Sequence, residues 1–188
     1  AITQKIIKRL LAFSSINHIG FMLLAIMSYQ YMSEGTIFFY LIIYLITTFG
    51  VFSVILNLRT SEGEITLLTG LNGLKASSRS KAISMLVFLF SLAGIPPFAG
   101  FFAKFFILSA SINEGFYILS VIAVISSVIA AFYYLSVIKN MFFNELETEL
   151  LLDNNRLSSF IFISSAIIIT LFFFYPDPLI NLVDSLFK

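Results

Sequence analysis

A single lysine inside an apolar segment is the residue of this chain most able to do chemistry. Lys104 is the one charge in the apolar run of residues 101–108, and the sequence GIPPFAG at positions 94–100 comes just before it. It lies about nine residues before the end of its span, ~13 Å along a helix, which is close to the bilayer centre. An ammonium group there is costly and marks a candidate functional site. The alternative is snorkelling, in which the long stem carries the charge to the interface, but the depth favours function.

A polar stripe along the first apolar segment is the second candidate for proton chemistry. Its members are Lys8, Ser14, Ser15, Asn17 and His18. Histidine exchanges protons near neutral pH, which suits a relay. Small and polar side chains also make helix–helix contacts in membranes, and the residues leave both interpretations open. Lys8 and Arg9 begin the segment, so they are either anchors on the basic side or a point of proton uptake.

Composition restricts the class of protein strongly. The 188 residues are 59% hydrophobic and 11% charged, with a mean hydropathy of +1.00, whereas soluble domains carry about 25% charged residues. We therefore predict an integral membrane protein. A net charge of +1 gives no electrostatic support for nucleic-acid binding. With no cysteine and one histidine, thiolate zinc sites, iron–sulfur clusters and haem are not expected, and we predict no cofactor in this chain.

The hydropathy pattern predicts an all-α membrane protein with about five transmembrane helices, of which the third is broken. The predicted spans are residues 4–28, 35–58, 80–112, 115–143 and 157–175, with a polar loop at 59–79, an acidic loop at 144–156 and a short tail helix at 178–188. Pro96 and Pro97 remove two backbone donors and disfavour helical angles at the preceding residue. Gly94 and Gly100 lower the cost of irregular backbone, so the break is expected between them.

Loop charge indicates that the broken span crosses the membrane once. That topology places nine bases on one side, which we predict to be the matrix or cytoplasm, with the C-terminus opposite. These are Lys5, Lys8, Arg9, Arg59, Lys75, Arg79, Lys81, Lys139 and Arg156. Tyr133, Tyr134 and Lys139 are interpreted as an aromatic belt and anchor. The predicted spans contain no carboxylate, so Lys104 has no counter-charge within them.

Two long motifs resemble a known family. The stretch IKRLLAFSSINHIGF at 7–21 and the stretch SLAGIPPFAGFFAKF at 91–105 are similar, in this order, to motifs of the antiporter-like membrane subunits of respiratory complex I. Some of these subunits carry an acidic residue after the lysine, or glutamate in its place, whereas Phe105 follows Lys104 here. The second span offers Tyr44, Thr47 and Thr48 where other members carry histidine and lysine. These features are most similar to the subunit 2 branch.

The resemblance implies proton translocation in the membrane arm, within half of an antiporter-like helical bundle. By position, Lys104 matches the terminal lysine of the proton path, His18 a histidine inside the helix and Lys8 a lysine near the matrix end. The buried glutamate and lysines of the family's N-terminal half are missing from this sequence. We therefore expect that half as a separate chain or the rest of a longer one, with other membrane-arm subunits and lipid as further partners. Quinone, flavin and iron–sulfur sites would belong to other subunits.

Two other functions stay open at this point. One is a subunit of a multi-chain cation/proton antiporter, since such exchangers resemble the same family. The other is a structural module of the membrane arm, which would place Lys104 against lipid or in a dry salt bridge. The 23 phenylalanines and frequent isoleucines, with their AT-rich codons, favour an organellar gene. We accordingly expect the mitochondrial inner membrane, with the C-terminus on the intermembrane-space side, rather than a bacterial plasma membrane.

Overall fold

The chain folds into a bundle of helices with a small sheet at one end. The computed structural model describes residues 1–28, 34–60, 63–146, 150–152 and 156–172. Its helices are α1 (Ile7–Met27), α2 (Glu34–Leu56), α3 (Leu74–Ser77), α4 (Arg79–Ala93), α5 (Ala99–Asn113), α6 (Tyr117–Phe143) and α7 (Arg156–Leu171). A 3-10 helix spans Leu68–Leu71, and the strands are β1 (Leu58–Thr60), β2 (Gly63–Glu64) and β3 (Leu151–Leu152).

The length and apolar composition of the helices are those of a membrane protein. Three helices are long and apolar enough to cross a bilayer, namely Ile7–Met27, Gly35–Leu56 and Tyr117–Phe143, and α5 and α7 are shorter apolar helices. Large apolar side chains face outward along α6, among them Ile118, which is 77% exposed. The helices satisfy their backbone hydrogen bonds internally, as a bilayer requires of the segments that cross it. The predicted all-α membrane fold is confirmed.

The third span is broken where the sequence predicts the break. Helix α4 ends at Ala93, and Gly94 follows with a φ of 79°, a left-handed conformation that favours glycine at a helix end. At the start of α5, the Gly100 N–H donates to Ser91 Oγ at 3.1 Å. A Cβ atom on Gly100 would lie 2.0 Å from the Ser91 carbonyl oxygen, so only glycine allows the two half-helices to come this close. Pro96 and Pro97 are exposed in the connection between them.

Helix α6 runs back along both halves of the broken helix. Near its start, Ser120 Oγ donates to Ser111 Oγ of α5 at 2.8 Å, and further along Ser127 Oγ donates to the Ala93 carbonyl at 3.3 Å. Near its end, the Asn140 carbonyl accepts a hydrogen bond from the N–H of Gly73, which directly precedes α3 and so lies on the N-terminal side of α4. Helices α4 and α5 together therefore traverse the bundle once, the geometry that a single broken crossing requires.

The small sheet and short helices lie at the end of the bundle where the bases concentrate. Strand β1 pairs antiparallel with both β2 and β3, although the sequence predicts only loops at 59–79 and 144–156. Two connections that emerge at the same end pair their backbones, since unpaired buried N–H and C=O groups are costly. The 3-10 helix and α3 also lie within the predicted loop at 59–79, separated by Asn72 and by Gly73 with a φ of 67°.

Several predicted segments lie outside the described residues. The tail helix at 178–188 and the last residues of the fifth predicted span, 173–175, belong to this group, as do parts of the acidic loop at 147–149 and 153–155. Helix α7 reaches Leu171, and the start of α1 is fixed at the same end as the sheet, because the Ile7 N–H donates to the Thr66 carbonyl at 3.0 Å.

Candidate functional site

Lys104 lies at the break with its charge held by neutral groups. The residue is 5% exposed, and Nζ donates to the carbonyls of Leu92 at 2.9 Å and Ala93 at 3.1 Å and to Ser127 Oγ at 3.0 Å. These three acceptors match the three N–H donors of an ammonium group. The two carbonyls end α4, where the helix dipole carries its partial negative charge. A helix end thus takes the place of a carboxylate partner.

The path of the lysine side chain depends on Gly94. A Cβ atom at that position would lie 2.8 Å from Lys104 Cδ and 3.4 Å from Nζ, so the side chain passes directly over the glycine. Nζ also lies 5.1 Å from the centre of the Phe21 ring, within range of a cation–π contact. The lysine therefore turns back over the break and does not extend toward a membrane surface, which contradicts the snorkelling alternative.

His18 is buried beside the same break and is held by two tyrosines. It is 3% exposed; Nδ1 lies 2.7 Å from Tyr40 Oη and Nε2 lies 3.3 Å from Tyr134 Oη. The ring also packs on Tyr44, with 4.8 Å between ring centres. Both ring nitrogens therefore contact a hydroxyl, a group that can donate or accept, so either tautomer of the imidazole fits this pocket.

Hydroxyl groups extend this cluster along α1 toward the basic end. The Tyr134 hydroxyl bonds to Ser14 Oγ, one turn before His18, and the Tyr44 hydroxyl donates to Ser15 Oγ at 2.9 Å. Tyr133 and Tyr134 are buried, at 5% and 0% exposed. The aromatic-belt interpretation of this pair is therefore wrong, because their rings turn into the bundle and not toward an interface.

A small cavity joins the lysine to the histidine cluster. Its polar lining consists of His18, Tyr40, Tyr44, Thr47, Ser91 and Lys104. The space open to the centre of a water molecule is about 10 Å³, close to the minimum that one water needs. The hydroxyl of Thr47 donates to the Ile43 carbonyl of its own helix at 2.6 Å, which leaves its oxygen lone pairs available as acceptors. The cavity can therefore hold about one bridging water between two ionisable groups.

The remaining predicted site residues lie away from this cluster. Lys8 is 47% exposed at the basic end and forms an ion pair with Glu64 of β2 at 3.0 Å, so it contacts neither Lys104 nor His18. Thr48 is half-buried and does not line the cavity. Asn17 points to the other side of α1, where it accepts a hydrogen bond from Ser126. The ammonium of Lys8 lowers the pKa of the exposed Glu64 carboxyl below its ordinary value.

Sequence reasoning missed several groups that the structure brings to the site. These are Tyr40, Ser91, Ser127, Tyr134 and the carbonyls of Leu92 and Ala93. A tyrosine deep inside a span is a usable signal, since Tyr40 and Tyr44 are one turn apart on one face of α2. No sequence pattern marks a carbonyl as a ligand, because its availability follows from the break. Among the described residues, none form a cluster of histidines and carboxylates able to hold a metal ion.

The family match and the similar proteins point to the same protein family. The transmembrane family described as NADH:quinone oxidoreductase/Mrp antiporter matches residues 1–130. Among similar proteins, NADH-quinone oxidoreductase subunit N of Rhodospirillum rubrum is 41% identical over 181 residues, which are 96% of this chain and 37% of the relative. The protein of the same name from Wolbachia sp. subsp. Brugia malayi is 40% identical over 187 residues, which are 98% of this chain and 40% of the relative.

Solved structures agree on the fold. A chain of respiratory complex I from Thermus thermophilus superposes with a TM-score of 0.84 at 27% identity, covering 96% of this chain and 40% of that one. A chain of the Mrp complex from Dietzia sp. DQ12-45-1b shares the fold, with a TM-score of 0.77 at 18% identity over 97% of this chain and 42% of that one. This chain thus spans about two fifths of the length of these relatives. From the family match and these identities, the chain belongs to the NADH:quinone oxidoreductase/Mrp antiporter transmembrane family.

Proposed function

We propose that this chain is the C-terminal part of subunit 2, the counterpart of bacterial subunit N, of NADH:quinone oxidoreductase, and that it translocates protons in the membrane arm. The observation that carries the proposal is the Lys104 ammonium, buried at the end of a half-helix and sharing a polar cavity with His18. A charge held by neutral dipoles at membrane depth is costly, and proton transfer explains its presence.

The geometry suggests how a proton moves through the site. Lys104 and a water in the cavity exchange the proton, and His18 takes it up or releases it on the far side of the cavity. The Tyr134 and Ser14 hydroxyls continue from His18 toward the basic end. Each hydroxyl can reverse its role between donor and acceptor by rotation. A transfer along this series therefore needs reorientation of hydrogen bonds and no large movement of the backbone.

The other groups of the proposed proton path would come from other polypeptides. We propose that the N-terminal half of the subunit, as a separate chain or the remainder of a longer one, supplies the buried carboxylate that this chain's spans lack. Neighbouring membrane-arm subunits are the further partners, and the redox cofactors and quinone site are assigned to other subunits. The relatives named above are bacterial, so the mitochondrial inner membrane stays a prediction from composition, as does the side of the C-terminus.

The resemblance to the Mrp complex supports a second candidate, a subunit of a cation/proton antiporter. Purification with NADH-oxidising subunits would favour the first function, and purification without them the second. A purely structural module fits the site less well. It requires Lys104 in lipid or in a dry salt bridge, whereas the lysine is buried, its described acceptors are neutral, and it lines a polar cavity.

The test compares two lysines in the assembled complex. Lys104→Met removes the buried charge and keeps much of the side-chain volume, while Lys139→Met removes an exposed lysine at the basic end of α6. Proton uptake by membrane vesicles is measured per NADH oxidised, and assembly by native gel electrophoresis. Positioned proton-transfer groups contribute roughly 100-fold or more, so Lys104→Met should abolish measurable pumping while Lys139→Met pumps normally. Normal pumping by assembled Lys104→Met would reject the proposal.

A further inference from the structure

The inward-facing row of α1 carries an aromatic ring next to the histidine of the site. Ser14, His18 and Phe21 follow one another at spacings of four and three residues, so they lie on one face of the helix. All three side chains are buried, at 3%, 3% and 2% exposed. Tyr40 contacts the last two: its hydroxyl lies 2.7 Å from His18 Nδ1, and its ring stacks on Phe21 with 6.2 Å between the centres and 16° between the planes. Helix α1 therefore presents His18 and Phe21 to the break in fixed positions.

The Phe21 ring faces the ammonium group of Lys104. Nζ lies over the ring, 5.1 Å from its centre, and the negative face of an aromatic ring attracts a cation at this distance. The three N–H groups of Nζ are already bonded to two carbonyls of α4 and to Ser127 of α6. The ring adds a contact from a third helix, which attracts the charged amine and cannot take up its proton.

The same ring lies between Lys104 and an open groove. Phe21 lines the groove between α1 and α6, which holds about 510 Å³ and is open to the outside. Lys104 is not part of that lining, and it lines instead the small cavity that it shares with His18. The ring thus separates the ammonium group from the groove and leaves the cavity as its link to the histidine.

We propose that Phe21 is a positioning residue of the proton site: the face of its ring stabilises the charged form of Lys104 and keeps the ammonium group beside the cavity. A cation–π contact in a desolvated site changes the ratio of charged to neutral amine by up to about 30-fold. The electron density of the ring therefore determines how readily Lys104 releases its proton to the cavity. The inference rests on the proposed function, because it assigns Phe21 a part in proton transfer by Lys104.

Fluorinated phenylalanines at position 21 test the contact while the packing is kept. Successive fluorine atoms withdraw electron density from the ring face and weaken its attraction for a cation, and they change the shape of the ring little. Rings with one, two and three fluorines replace Phe21 in the assembled complex, and the initial rate of proton pumping by membrane vesicles is measured against pH. We expect each fluorine to move the alkaline limb of this profile to lower pH, by up to about 1.5 pH units for three fluorines. A profile that does not depend on the number of fluorines would overturn the proposal.

Phe13 provides the matched control for the fluorine series. It also belongs to α1, lines the same groove and is 46% exposed. Within the part of the chain that the structure describes, its ring faces no ammonium or guanidinium group. The other titratable groups near the cavity are common to both series: His18, Tyr40, Tyr44 and Tyr134. We expect no shift from fluorines at position 13, and an equal shift at both positions contradicts the proposal.

A second pair of variants separates the ring face from the apolar volume. Phe21→Leu removes the aromatic face and keeps an apolar side chain, whereas Phe21→Tyr keeps the face. We expect Phe21→Leu to reproduce the shift of the ring with three fluorines and Phe21→Tyr to retain the wild-type profile; the opposite order contradicts the proposal. If Phe21→Leu fails to assemble, the fluorine series decides the question.

The Lys104→Met variant distinguishes failure of this inference from failure of the proposed function. Normal pumping by Lys104→Met rejects the proposed function and the role of Phe21 with it. Loss of pumping in Lys104→Met, together with a fluorine series that has no effect, rejects the role of Phe21 alone.

Discussion

The substitution Gly94→Ala tests whether the break exists to hold the lysine. Gly94 combines two requirements: a φ of 79°, which strains any residue with a Cβ atom, and the passage of the Lys104 side chain over it. Gly115 provides the matched control, because its φ is 86° and nothing lies within 4 Å of a Cβ built there. The pair therefore shares the backbone effect and differs in the contact with the lysine.

The magnitudes follow from these two contributions. A left-handed conformation costs a residue with a Cβ atom about 1–2 kcal/mol, and both alanine variants have this cost. In Gly94→Ala the new methyl group would lie 2.8 Å from Lys104 Cδ, so the side chain must move and its ammonium loses at least one hydrogen bond. A hydrogen bond to a charged group contributes about 1.5–3 kcal/mol. We expect Gly94→Ala to destabilise the fold by about 2.5–5 kcal/mol, against about 1–2 kcal/mol for Gly115→Ala.

We expect the two variants to differ more in proton pumping than in the free energy of unfolding. Both complexes are assembled at reduced temperature, quantified by native gel, and assayed in vesicles for protons moved per NADH oxidised. We expect Gly94→Ala to pump severely less than Gly115→Ala, because the displaced ammonium leaves the Leu92 and Ala93 carbonyls and changes its distance from the cavity. Equal pumping by the two variants at equal assembly would refute the idea that the glycine positions the lysine.

Two further outcomes are expected from the same structure. Tyr134→Phe removes the hydroxyl shared by Ser14 and His18; it should lower stability by about 1–3 kcal/mol and slow pumping, while Tyr117→Phe, which removes a hydroxyl from a side chain that is 64% exposed, should change neither. Because Lys8 lowers the pKa of Glu64, the ionised carboxylate stabilises the fold above its ordinary pKa and loses this contribution as pH falls through the lowered one. Glu64→Gln should therefore remove part of the acid-induced drop in the unfolding temperature, and an identical pH profile in the variant would contradict the role of this ion pair.

The sequence was sufficient to predict the features that depend on strong local rules. Consecutive prolines cannot continue a helix, so the break between Gly94 and Gly100 follows from the backbone alone. A lysine within an apolar run is rare enough to mark a site, and Lys104 lies at the break. The depth of His18 in its apolar segment predicts a residue inside the hydrocarbon region, and the structure buries its side chain.

The features that sequence reasoning missed depend on which face of a helix meets which neighbour. The position of Tyr134 near the end of an apolar span predicts an interfacial tyrosine, whereas its ring lies in the core and its hydroxyl bonds to Ser14 of α1. Asn17 and His18 are adjacent along the chain, yet Asn17 bonds to Ser126 whereas His18 bonds to two tyrosines, since neighbouring helical residues point about 100° apart. The packing partners that decide these directions lie more than 100 positions away in sequence.

The described hydrogen-bond acceptors of Lys104 are two carbonyls and a hydroxyl, and none is a carboxylate. This determines how the charge of the site can be balanced when the lysine loses a proton. A carboxylate partner can take up a proton itself, so a lysine–carboxylate pair can become neutral without exporting charge. The carbonyls that hold Lys104 have no protons to exchange, and their partial charge is fixed by α4. In the proposed transfer, each deprotonation of the lysine would therefore change the net charge of the site by one, and a second ionisable group would have to compensate for it at low dielectric. His18 lines the same cavity as Lys104, so its protonation would respond most directly to a change in the charge of the lysine.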